Sequence, residues 1–90
     1  MRLIITRPAR ADLEEIRIYL EANYPRVSRT VTMRLRETLV RIEKWPHIGK
    51  EVRERPGVHI VPIVRYPYKI FYRVKSNTVE ILHIHHSSRK

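Results

Sequence analysis

Ninety residues carry a formal net charge of +10, with two glycines and no cysteine. That length holds one domain at most, taken as residues 1–90, and the missing cysteine excludes a disulfide framework and a thiol nucleophile. The leading apolar run, Leu3-Ile4-Ile5, is too short for a signal peptide or a membrane span, so the chain is read as cytoplasmic.

Leu3-Ile4-Ile5 reads as a short β-run. Thr6 then caps a helix, with Pro8 in its first turn, where a missing N–H is harmless. Ala9, Leu13, Ile16 and Leu20 recur at helical spacing, and Asp12, Glu14 and Glu15 fall in the N-terminal half, favourable to the helix dipole. Asn23-Tyr24-Pro25 breaks this helix. Val27, Val31, Leu35, Leu39 and Ile42 form a second stripe from Arg26 to Trp45, ended by Pro46 and Gly49. Arg29, Arg34, Arg36 and Arg41 fall on its wet side. Two such helices with a short connection make an antiparallel hairpin.

Beyond Gly49 the texture changes. Val58 to Arg65 is β-branched, with Pro62 at a bulge or an edge. Tyr68, Ile70, Tyr72 and Val74 alternate with Lys69, Phe71 and Arg73, the period of a strand. Ser76-Asn77 turns the chain into a last strand, Val79 to His85. The order β-α-α-β-β-β predicts an α+β fold, with the N-terminal strand and helical hairpin packed on one face of a small antiparallel sheet.

The basic excess is uneven. Residues 1–43 hold nine Lys/Arg against six Asp/Glu, whereas residues 44–90 hold ten against three, plus all five histidines. Such a face suits nucleic acid or an acidic protein; no stretch pairs a basic face with a bulky apolar one, which disfavours a membrane surface. If Tyr68 and Ile70 face the helices, then Lys69, Phe71 and Arg73 face away, a cation–aromatic–cation row that suits phosphate and base. The same row equally reads as a small apolar cluster around Phe71 with solvated cations.

On a strand, His83 and His85 share a face and His86 takes the other. A zinc site wants more ligands than two, and His47 and His59 would have to arrive by folding, so neither metal nor cofactor is expected. A histidine among cations can also serve RNA cleavage by 2′-OH attack, with His83, His85 or His86 beside Lys69, Arg73 and Arg89. Periodicity alone favours ordinary hydrogen-bonded histidines. A glycine-rich phosphate loop and a serine nucleophile elbow are missing from the sequence, and carboxylates are sparse in the β half, just Glu51, Glu54 and Glu80, which disfavours a two-carboxylate hydrolase or a magnesium site.

The order of these residues resembles the RelE/ParE superfamily of toxins from bacterial type II toxin–antitoxin systems. The likeness spans nearly the whole chain. It begins with Thr6, Ala9, Asp12-Leu13 and Ile16, similar to a T-x-x-A-x-x-D-L-x-x-I opening. Tyr19-Leu20, Pro46-x-x-Gly49, Gly57-Val58, the run from Tyr68 to Val74 and the end from Ile84 to Arg89 continue it. The resemblance implies a growth-arresting toxin of the plasmid-stabilisation type, neutralised by an acidic, partly disordered antitoxin in a hetero-oligomer. It places antitoxin contacts at Leu13, Ile16, Leu20, Val31 and Leu35, and target contacts at His59, Arg65, Lys69, Arg73, His86 and Arg89.

Three actions follow from the family. ParE-like members inhibit DNA gyrase and are not known as nucleases. RelE-like members cut mRNA in the ribosome, using basic residues of the sheet and a C-terminal Tyr, His or similar group. On that second reading Lys69, Arg73, His83, His85 and His86 are the catalytic suspects. The ending His86-x-x-Arg89 and the run Y-P-Y-K-I-F-Y, Tyr66 to Tyr72, look more like the ParE branch, which makes gyrase the first expectation. His59 stands where ParE-like chains commonly carry Arg, which leaves an attenuated toxin, acting only as an antitoxin-binding module, as the third.

Overall fold

A computed structural model of the protein describes residues 1–87. The chain runs β1 (Arg2–Ile5), α1 (Arg7–Asn23), α2 (Pro25–Lys44), β2 (Lys50–Glu51), β3 (Val58–Pro62), β4 (Tyr68–Val74) and β5 (Thr78–His86). The strands form one sheet in the order β1-β5-β4-β3-β2. The class is α+β, but the sheet is mixed rather than antiparallel. β1 lies parallel to β5, Arg2 opposite Thr78 and Ile5 opposite Ile81, while the other neighbours are antiparallel. A parallel pair needs a long crossover, and everything between β1 and β5 supplies it. β2 pairs through two residues only, too few to leave a pattern in the sequence.

The hairpin has no loop. Tyr24 ends α1 by donating its N–H to the Leu20 carbonyl at 2.7 Å, and its own carbonyl accepts from Val27 N at 3.1 Å in α2. Pro25 opens α2, its fixed φ preset for a first turn. Ala9, Leu20, Val31, Leu35, Leu39 and Ile42 then bury one helical stripe against Val61, Tyr68, Ile70, Tyr72, Val79, Ile81 and Ile84 of the sheet. Val27, at the hairpin tip, is left exposed. No acidic residue stands in the first turn of α1, because the helix begins at Arg7. Asp12 has another partner, given below.

Pro62 ends β3, three residues short of the expected Arg65. Its neighbour Ile63 donates N–H to Tyr68 O of β4 at 2.8 Å. Alternation therefore turns the Pro62 nitrogen to the opposite side, beyond the reach of β2, where no donor is missed. Arg65 follows in the turn with φ of 77°, in the left-handed region. Among the described residues no helix is long and apolar enough to cross a membrane.

Candidate functional site

The face of the sheet turned away from the helices is organised by one extra residue. Phe71 pairs with His83, but the next residue, Tyr72, pairs with Ile81, so Leu82 is bulged out of the ladder. Strict alternation from the inward-facing Val79 and Ile81 would turn His83 and His85 into the core. The bulge reverses the phase. Ile84 returns to the core at 3 % exposure, and His83 and His85 emerge opposite Phe71 and Lys69.

These residues form a continuous row. Lys69 Nζ lies 5.7 Å over the Phe71 ring. Phe71 and His85 are 5.2 Å apart between ring centroids, and His85 and His83 are 5.1 Å apart. His83 Nδ1 stands 3.3 Å from Asp12 Oδ2, and the same carboxylate oxygen accepts the Ile84 N–H at 2.9 Å. Asp12 comes from α1, and its sequence signal was the D of the opening motif. Taken alone, its position looked like a dipole charge. Arg73 shares the outer face, opposite Glu80. The expected cation–aromatic–cation row thus exists, with two histidines and a carboxylate joined to it.

Four other expected target contacts do not join this row. His59 is 8 % exposed on the helix-facing side, stacked on Tyr72 at 5.2 Å. Arg65 sits in the β3–β4 turn. His86 faces the core side, edge-on to Tyr68 at 5.4 Å. Arg89 lies outside the described residues. Of the apolar residues assigned to antitoxin, Leu20, Val31 and Leu35 are 5 %, 1 % and 4 % exposed. They are packed in the chain's own core, because the hairpin stripe is spent on the sheet. A cleft of about 380 Å³ stays open between the helices, lined by Leu13, Ile16, Leu35 and Leu39, with Arg10, Arg17 and Arg36 outnumbering Glu14 among its charged residues.

His59 belongs to a structural knot. The Tyr72 hydroxyl donates to Pro46 O at 2.8 Å and accepts from Gly49 N at 2.9 Å, while His59 Nδ1 lies 3.1 Å from Gly49 O. The P-x-x-G turn is therefore wrapped around one buried phenol. Burial pushes the Tyr72 phenol above its ordinary value, against the smaller opposing pull of the Gly49 N–H. A raised value in the folded chain stabilises it fully below about pH 10, and that contribution is lost as pH climbs through the folded value. Tyr72→Phe should lower stability by about 1–3 kcal/mol at neutral pH, because two half-buried backbone groups lose their partner. Denaturant titrations above about pH 10 should show the wild type losing more stability than the variant.

The family model described as the ParE toxin of the type II toxin–antitoxin system parDE matches residues 3–90. The chain belongs to this toxin family. The chromosomal ParDE system of P. aeruginosa contains a chain of similar fold, with a TM-score of 0.82, 27 % identity and coverage of 96 % of this chain and 95 % of that one. The isolated E. coli RelE toxin matches with a TM-score of 0.71 at 20 % identity, over 99 % of this chain and 86 % of that one. A RelBE toxin–antitoxin complex from Mycobacterium tuberculosis matches at 0.62 and 26 %, over 94 % and 95 %. No match was found among curated protein sequences. Within the family frame, Thr6 and Asp12 hold α1 to β5, Ala9 caps onto Thr6 and is fully buried, and Pro46 and Gly49 hold the turn on Tyr72.

Proposed function

We propose that this ParE-family toxin arrests growth by inhibiting DNA gyrase in the cytoplasm, as a single domain that is silent while an acidic antitoxin covers it. The observation that carries this reading is the family match over residues 3–90. The higher similarity to the ParDE chain than to isolated RelE agrees with it. The antitoxin seat is the interhelical cleft, lined by Leu13 and Ile16 along with Arg10 and Arg36. An apolar lining with an excess of cations takes an amphipathic acidic segment, its apolar side down and its carboxylates outward. Arg17, in the same lining, already pairs with Glu14 and Glu21 on the surface and adds little.

Ribosome-dependent mRNA cleavage is the second reading. Lys69, Arg73, His83 and His85 share one face, which is what phosphate binding and proton transfer at a 2′-OH require. Pulse-labelling DNA and protein synthesis minutes after inducing the chain without antitoxin separates the readings. DNA synthesis should stop first. If protein synthesis stops first, the chain is a ribonuclease, and Lys69→Ala or Arg73→Ala should abolish cleavage while leaving antitoxin affinity intact. If neither process changes, the chain acts only as an antitoxin-binding module.

A further inference from the structure

We propose that Asp12, His83 and His85 form a binding site for a divalent transition-metal ion of the zinc, cobalt or nickel class. One ligand atom from each of these residues lies within 4.8 Å of the other two. Nitrogen and oxygen ligands held at about 2.1 Å around a tetrahedral ion stand roughly 3.4 Å apart. The Asp12–His83 pair, at 3.3 Å, already has that separation. Only the His85 ring has to close a gap, and it is partly exposed on the outer face.

The site is built by the fold rather than by chance proximity on a flexible surface. His83 and His85 share a face because they stand two apart on a strand, and the Leu82 bulge turns that face outward. The Ile84 N–H donates to the same Asp12 Oδ2 that faces His83, which fixes the carboxylate, and an oxygen with two lone pairs can keep that hydrogen bond while it holds an ion. Two imidazoles and one carboxylate suit zinc, cobalt or nickel; magnesium and calcium want oxygen ligands throughout. A fourth position stays open to water or to a group from a partner. Asp12 and His85 also line a cleft of about 220 Å³, onto which Glu15 opens.

The chain's positive charge opposes a cation, but only over a Debye length of about 8 Å at physiological salt. Nearby, Asp12 and Glu15 supply negative charge, while the Lys69 ammonium sits over the Phe71 ring, 5.7 Å from its centroid. An ion here would tie α1 to β5 where β1 no longer covers the strand. It would also occupy the two histidines that the outer face presents. The site stands whichever target the toxin has.

The test uses the tag-free full-length chain, freed of metal with a chelator and titrated with zinc chloride or cobalt chloride. We expect one ion per chain, a visible cobalt d–d absorption, and zinc-induced NMR shifts confined among the five histidine rings to His83 and His85. His83→Ala, His85→Ala and Asp12→Asn should each weaken binding by about tenfold or more. The asparagine keeps an oxygen for the Ile84 N–H. His47→Ala and His86→Ala should leave binding unchanged. Absence of one-to-one binding to the wild type overturns the proposal. So does undiminished binding to His83→Ala and His85→Ala, or zinc-induced shifts on His47, His59 or His86 instead, a readout that needs no variant to fold.

Discussion

Gly49→Ala will destabilise the chain by about 3 kcal/mol, combining overpacking with the loss of half-buried hydrogen bonds. A Cβ at this position would stand 2.7 Å from the Tyr72 hydroxyl, 2.9 Å from Ile60 O and 2.9 Å from a Val61 methyl. None of the three can yield alone. The hydroxyl is held by Pro46 O and Gly49 N, Ile60 belongs to the sheet, and Val61 is buried in the core. The turn must therefore lift off Tyr72, which strands two backbone groups and removes the seat of His59. Gly57→Ala is the control. Gly57 has φ of +83° with nothing within 4 Å of a Cβ, so only the left-handed backbone is penalised, by about 1 kcal/mol. Urea unfolding of both variants reads the difference directly. A Gly49→Ala midpoint no lower than that of Gly57→Ala would mean that the turn does not grip the phenol.

The two helices and the inward row of β4 were legible because their signal is periodic and local. Ala9, Leu20, Val31, Leu35 and Ile42 recur at helical spacing, and Tyr68, Ile70 and Tyr72 at strand spacing, and all are buried. The P-x-x-G turn was visible as a motif but without its cause, since the cause is a phenol 23 residues beyond Gly49. The sheet's one parallel pair left no local trace, because β1 and β5 meet only after the chain has folded between them. The Leu82 bulge was hidden for a different reason. A run of alternating and adjacent apolar residues, Val79, Ile81, Leu82 and Ile84, fits either phase of a strand, and only pairing with β4 selects one. Asp12 was legible as a conspicuous residue and illegible as a partner, since its contacts at Ile84 and His83 lie 72 and 71 residues away. Leu20, Val31 and Leu35 show the converse limit. Periodicity identifies an apolar face and does not say whether sheet or partner will cover it.

Asp12→Ala should lower the free energy of opening β5 by about 2 kcal/mol, the range of a hydrogen bond to a charged group. β1 pairs with β5 only as far as Ile81, so the remaining edge of β5 faces α1 without a strand beside it. The first turns of α1 take that strand's place. Thr6 Oγ1 donates to Ile81 O at 2.6 Å and accepts from Ala9 N at 3.4 Å, which caps the helix and clasps the strand at once. Ala9, fully buried, has a side chain small enough to bring the helix close to the sheet. Asp12, three residues on and on the same helical face, then accepts the Ile84 N–H beyond the bulge. Removing that acceptor should speed amide hydrogen exchange at Ile84 about thirtyfold, the rate equivalent of about 2 kcal/mol. Asp12→Asn, which keeps an oxygen in place, should lose about half as much. Thr6→Val should act at the other end of the clasp, with a cost of about 1–2 kcal/mol for the cap. An Ile84 amide that exchanges at the wild-type rate in Asp12→Ala would show that α1 does not guard this edge. The guard has a further consequence. An uncovered edge of backbone N–H and C=O groups invites a strand from another chain, so Asp12→Ala protein should also self-associate more readily than wild type as concentration is raised.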